Sequence, residues 1–286
     1  MSSATALPAT TRPLRVVLLG LGTVGGGVYQ RLAEDRARFD LLRVVARDPA
    51  RHAAAGVPAA LLSHDPWDAV DVAADVVVEA LGGDSPASGI LQAALLGGRT
   101  VVTANKLAVV AGWQALRRWA EGSTPRLHLS AAVGGELPVL ETLRSQAARG
   151  RIRAVRGVLN GTCNFVLDRI AAGEDYARAL AEAQALGFAE PDPIADVSGY
   201  DAECKLRLAA WAAFGREPDE LHRHGIEGIA AAVRADGAVL RLVAELREVG
   251  GWLTGRVAPR WCAPDDYLAG TRGEENRVEV VSARGE

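Results

Sequence analysis

Apolar positions fall into two rhythms along the chain. Short continuous runs at "LRVVLLG" (14–20), "LLRVVAR" (41–47), "ADVVVEALGG" (74–83), "GRTVVTAN" (98–105) and "RLHLSAAVGG" (126–135) are rich in β-branched residues. Runs of that length predict strands buried on both faces, as in a parallel sheet. Between them, "TVGGGVYQRLAED", 88–97 and 107–121 carry helix-like patterns. Alternation of the two predicts an α/β fold over residues 14–133, a Rossmann-type doubly wound parallel sheet.

After about residue 136 the rhythm changes. An amphipathic helix over 137–149, a β-like "IRAVRGVLNG" (152–161) and helices near 162–172, 175–186 and 200–214 predict a second, α+β domain over 134–286. From 226 onward short apolar runs mix with helix-like pieces, "AVLRLVAEL" and "VAPRWCAP" among them, and their pairing is not legible. The opening "MSSATALPATTR" is small, polar and proline-containing, with no basic then apolar sequence of a signal peptide. It predicts a disordered leader over 1–13.

Composition narrows the class of partner. With 49% hydrophobic and 23% charged residues the chain is that of an ordinary globular protein, and its 286 residues favour two domains. A net charge of −3 offers no basic excess for nucleic acid or an anionic membrane, and no apolar run reaches the roughly 18 residues that span a bilayer. A small-molecule substrate is the expected partner. Cys163, Cys204 and Cys262 are widely separated and form no CxxC pair, which fits a reducing cytoplasm better than a zinc or disulfide scaffold.

"VVLLGLGTVGGGV" places Gly20, Gly22 and Gly25 as GxGxxG between a predicted strand and a predicted helix. In that context the first glycine makes the tight turn, the second admits a pyrophosphate to the backbone, and the third lets helix and strand pack closely. Thr23 and Val24 complete the loop, and Gly82, next to last in the run at 74–83, is a further candidate cofactor-binding position. Beyond the second strand, Arg47 precedes Asp48, and Arg51 follows. An acid there favours NAD and an arginine favours NADP. The order favours NADP(H), with NAD(H) possible and a solvated Asp-Pro turn as the plain structural reading.

Lysine usage singles out two positions. The chain has 30 arginines and two lysines, Lys106 and Lys205. A guanidinium is effectively always protonated, whereas a lysine ammonium can exchange its proton when desolvated. Thr103, Ala104, Asn105 and Lys106 follow a predicted strand, which delivers Lys106 to the carboxyl edge of the sheet, where ligands of open α/β folds bind. Lys205 stands four residues after Asp201, in a stretch that also holds Glu190, Asp192 and Asp196. Helix capping by Ser198 and Asp201 would give the same pattern. A dinucleotide loop plus a tunable lysine beside a carboxylate suggests a dehydrogenase, because an alkoxide formed by hydride addition must be protonated.

"LLGLGTVGGGV", "VVTANK", "GVLNGTCNF" and "ALGFAEPDPIADVSGYDAECKL", in this order, resemble homoserine dehydrogenase. The resemblance runs from about residue 14 to the mid-270s. It implies reversible NAD(P)-dependent reduction of L-aspartate 4-semialdehyde to L-homoserine, in threonine, methionine and isoleucine biosynthesis. By motif, Lys205 corresponds to the catalytic proton donor, Asp201 to its partner and Lys106 to a lysine at the substrate. Glu190 and Asp196 would face substrate polar groups, and Asn160, Gly161 and Thr162 would contact substrate and nicotinamide. A homodimer through the second domain is also implied.

Three departures from the family pattern accompany the match. Ser130 stands where the family has a glutamate and Glu136 where it has glycine, so the family's monovalent-cation loop, here around Val133 and Gly135, is weakened. "PASGI" lacks the arginine of the family's P-A-R. The chain also ends at "VVSARGE", without the family's later glycine-rich segment or an ACT domain. Two other readings therefore stay open: a shortened homologue that binds dinucleotide without turnover, and a Rossmann-type oxidoreductase for another amino-acid semialdehyde.

Overall fold

A computed structural model describes residues 12–121, 125–135, 137–230 and 236–283. Most of the expected leader, and Glu136, lie outside the described residues. The chain divides into two compact units, Met1–Leu129 and Ser130–Glu286, a boundary four residues before the one expected from the sequence.

The first unit alternates as the pattern predicts. β1 (Leu14–Leu19), α1 (Thr23–Glu34), β2 (Phe39–Val45), α2 (Pro49–Ala54), β3 (Leu62–Ser63), α3 (Asp68–Asp71), β4 (Val76–Glu79), α4 (Ala87–Leu96), β5 (Thr100–Thr103), α5 (Lys106–Ala120) and β6 (Leu127–His128) follow one another. The sheet order is β3-β2-β1-β4-β5-β6, with every pair parallel. Val16, Val17, Leu18 and Leu19 of β1 are fully or almost fully buried, which is why this strand reads as an unbroken apolar run. Each such side chain contributes roughly 1.5–3 kcal/mol on burial. The chain reverses its direction of travel across the sheet between β1 and β4, which makes the ends of those strands the switch point where open α/β sheets bind ligands. β3 has two residues and was invisible to periodicity.

In the second unit, α6 (Val139–Arg149), β7 (Ile152–Val158), α7 (Gly161–Ala171), α8 (Tyr176–Ala185), α9 (Ile194–Val197) and α10 (Tyr200–Phe214) precede β8 (Glu220–Arg223), β9 (Val239–Val249), β10 (Trp252–Cys262) and β11 (Arg277–Ser282). The sheet runs β11-β7-β9-β10-β8, antiparallel except for β8 with β10. β9 and β10 form a long hairpin closed at Gly250 and Gly251, whose φ values of +60° and +86° suit the tight turn and explain both glycines. Helices α7 and α10 pack on β9, so Leu240 through Leu246 are buried without interruption. That continuous burial erased the alternation by which a strand pair would have been recognised.

Candidate active site

The glycine loop of the first unit has the geometry its motif requires. Gly20 has φ +96°, and a Cβ there would lie 2.4 Å from the Ala80 carbonyl oxygen, because the ends of β1 and β4 meet at the switch point. A Cβ on Gly25 would lie 1.9 Å from the Gly20 carbonyl oxygen, so α1 can pack this closely only through glycine. Around Gly22 the same addition meets nothing within 4 Å. Helix α1 starts there with no side-chain cap and no acid in its first turn, and Thr23 and Val24 are exposed. An open second glycine at an uncapped helix N-terminus fits a pyrophosphate.

A buried carboxylate organises the rest of this edge. Glu79 ends β4, is 0% exposed, and pairs in register with Thr103 at the end of β5. Three donors meet it: Thr103 Oγ1 at 2.5 Å, Asn105 Nδ2 at 3.1 Å and the Leu81 amide at 2.8 Å. Asn105 also donates to the Gly83 carbonyl at 2.7 Å and caps α5 by accepting from the Ala108 amide. The loops bearing Gly82 and Thr103–Lys106 are thereby tied to one carboxylate, and Lys106 opens α5 at the carboxyl edge of the sheet. Sequence reading passed over Glu79, although an acid closing the apolar "VVV" was a visible signal.

Arg47 is exposed beyond β2. The neighbouring Asp48 is the N-cap of α2 and accepts from the Arg51 amide at 3.0 Å. Its carboxylate is thus engaged with its own helix.

The second unit brings Asn160, Asp196, Asp201 and Lys205 together. Asn160 is 3% exposed and caps α7, its Oδ1 accepting from the Cys163 amide at 2.8 Å. Its Nδ2 donates to Asp196 at 2.7 Å and to Asp201 at 2.8 Å. One asparagine thus joins the starts of three helices. On α10, Lys205 Nζ lies 2.8 Å from Asp201 Oδ2 and donates to the Leu159 carbonyl at 2.6 Å. The two side chains are 17% and 9% exposed, so the pair is held away from bulk water. An ammonium has three N–H groups; these two acceptors leave one to face a ligand.

Capping does not explain Asp201. Helix α10 starts from Gly199, left-handed at φ +79°, with no side-chain cap, while Ser198 accepts from Arg223. Burial and the nearby Asp201 carboxylate raise the pKa of Asp196, opposed by the Asn160 hydrogen bond. Burial raises the Cys163 thiol well above its ordinary value, with Asp196 and Asp201 adding to the effect. Cys163 is therefore a packed thiol donating to the Asp196 carbonyl, not a nucleophile.

These groups line a cleft of about 290 Å³ with Gly161, Thr162, Gly187, Phe188 and Glu274. Thr162 Oγ1 donates to the Phe188 carbonyl at 2.6 Å and fixes that wall. Glu190 is exposed and does not line the cleft; Glu274, for which the sequence held no signal, does. Ser130 Oγ donates to Glu141 at 3.0 Å, Val133 is buried, and Gly135 has φ +61°. Among the described residues no group of three or more His, Cys, Asp or Glu side chains could hold a metal ion.

Comparison with known proteins matches a separate family model to each part of the chain. Residues 20–130 match the NAD-binding domain of homoserine dehydrogenase, and residues 138–286 match the homoserine dehydrogenase family. The chain is 35% identical to the homoserine dehydrogenase of Mycobacterium tuberculosis H37Rv, over 96% of this chain and 66% of that protein. It is 39% identical to that of Corynebacterium glutamicum, over 76% and 51% respectively. The crystal structure of a homoserine dehydrogenase from Thiobacillus denitrificans superposes with a TM-score of 0.82 at 33% identity, covering 95% of this chain and 66% of that one. The chain thus spans about two thirds or less of these relatives' length. A dinucleotide loop on a Rossmann-type sheet, a lysine–aspartate pair on a second α+β unit, and these matches across both units place the chain in the homoserine dehydrogenase family.

Proposed function

We propose that this chain catalyses the reversible NAD(P)(H)-dependent interconversion of L-homoserine and L-aspartate 4-semialdehyde, a step of threonine, methionine and isoleucine biosynthesis. The observation that carries the reading is Lys205, held at a cleft by the Asp201 carboxylate and the Leu159 carbonyl. In the reducing direction Lys205 gives a proton to the substrate oxygen as negative charge develops there, directly or through water. In the oxidising direction it takes that proton back. Asp201 keeps the amine oriented, and Asn160 fixes Asp201.

A bound nicotinamide dinucleotide supplies or accepts the hydride. Gly20, Gly22, Thr23, Val24 and Gly25 would hold its pyrophosphate, and Gly82, Thr103, Ala104 and Asn105 its nicotinamide side. NADP(H) is the expected preference, since Arg47 is exposed and Asp48 is engaged as a helix cap. Lys106 is assigned to the substrate carboxylate or carbonyl, and Asp196, which lines the cleft where Glu190 does not, to its ammonium.

We also infer a homodimer through the second unit, supported by exposed Val249, Trp252 and Trp261 on its hairpin. A cytoplasmic setting is supported by the three free cysteines. Among the described residues no helix is long and apolar enough to cross a membrane.

The test is nicotinamide absorbance on adding L-homoserine to the protein with NAD⁺ or NADP⁺. Reduction faster with NADP⁺ is expected. Dinucleotide binding without reduction would refute the proposed activity, and equal turnover of other amino-acid alcohols would refute the substrate.

A further inference from the structure

Every polar side chain at the floor of the cleft already has a partner. Asp196 and Asp201 receive Asn160, Lys205 spans Asp201 and the Leu159 carbonyl, and Thr162 is bonded to Phe188. Glu274 is different: it lines the same cleft, and no hydrogen bond or ion pair among the described residues engages its carboxylate.

Its position is nevertheless fixed from below. Asn164, fully buried in α7, donates to the Gly273 carbonyl at 2.8 Å, and the Gly273 amide donates to Asp168 at 3.1 Å. Arg241, 1% exposed, pairs with Asp168 at 2.8 Å and donates to the Thr271 carbonyl at 2.7 Å. The Glu274 backbone then rests on Gly161, where an added Cβ would lie 2.9 Å from the Glu274 carbonyl oxygen. A clamped segment therefore presents an unengaged acid to a cleft that already holds two carboxylates against one ammonium. Such a cleft is short of positive charge.

We infer that Glu274 is a substrate-recognition residue that selects for a ligand carrying an ammonium group, by pairing with that group at the cleft. The inference rests on the substrate class proposed above and adds a specificity residue to it.

The test is calorimetric binding of L-homoserine and of 4-hydroxybutanoate, which keeps the carboxylate and hydroxyl but lacks the ammonium, to dinucleotide-loaded protein. Glu274→Gln and Glu274→Lys are compared with wild type, with steady-state kinetics alongside. Glu274 is exposed, so Glu274→Gln is expected to weaken homoserine by roughly 3- to 10-fold, the scale of an exposed charge-assisted contact, raising KM more than it lowers kcat. Glu274→Lys weakens it further, and 4-hydroxybutanoate binds Glu274→Gln as it binds wild type. Unchanged homoserine affinity in both variants overturns the inference. Equal weakening of both ligands also overturns it, since the loss would then lie in the segment and not in the charge. If wild type binds homoserine without turnover, the proposed reaction fails while the ratio of the two ligands still decides the role of Glu274. If wild type binds no homoserine, both fall.

Discussion

The two units contain the same device with different outcomes. In the first, Asn105 caps α5 through its side-chain oxygen and donates through its nitrogen to the buried Glu79. In the second, Asn160 caps α7 and donates to the buried Asp201. The difference is the third member. Glu79 is met by neutral donors, a hydroxyl, an amide side chain and a backbone amide, and so acts as a tie between the ends of β4, β5 and α5. Asp201 is met by the Lys205 ammonium, whose remaining N–H can face a ligand, and in the function we propose it is this network that moves a proton. An asparagine cap on a buried acid gives rigidity; the proposed chemistry enters with the added lysine.

The largest effects separate the two networks. Asp201→Ala strands a mostly buried ammonium, so unfolding should show a loss of about 3 kcal/mol and steady-state assays a fall in kcat of about 100-fold or more. Retained kcat would reduce the Asp201–Lys205 pair to a structural contact. Glu79→Ala leaves three donors unsatisfied and should cost about 2–3 kcal/mol in denaturant unfolding. In that variant Lys205 keeps both of its acceptors; a stability loss below about 0.5 kcal/mol would mean that Glu79 ties nothing together.

A smaller effect concerns the cofactor side. Arg47→Ala should lower the preference for NADPH over NADH by about 10-fold through loss of a charge-assisted phosphate contact, read as the ratio of kcat/KM values. An unchanged ratio removes Arg47 from the account.

The smallest effect concerns pH. Asp196 has a folded pKa raised by burial and by Asp201. Protons are then bound more tightly in the folded state, so the favourable contribution is present in acid and is lost as pH rises through the raised value. Asp196→Asn should therefore match wild type in thermal stability most closely at low pH and gain on it toward neutrality. A difference that shrinks with rising pH would reverse the assignment.

Much of this was legible where physics is local. Val16–Leu19 announce a strand buried on both faces, Gly20 and Gly25 announce a close approach, and Asp201 and Lys205 are one helical turn apart. What was not legible depends on contacts across long separations. Asn160 reaches acids 36 and 41 residues later, and Glu274 comes to Gly161 only because Asn164, Asp168 and Arg241 hold its segment there. The β9–β10 hairpin was missed because both of its faces are covered at β9, although Gly250-Gly251 was a usable turn signal. The capping alternative at Ser198 and Asp201 does not apply: Gly199 starts the helix without a side-chain cap, and Asp201 lines the cleft.

The central claim is that Lys205 moves a proton that an arginine could not. The direct measurement is kcat for L-homoserine oxidation by Lys205→Arg, with folding checked by thermal unfolding. The expected result is a folded protein that still binds dinucleotide and turns over at least about 100-fold more slowly. A folded Lys205→Arg with the wild-type kcat would contradict it.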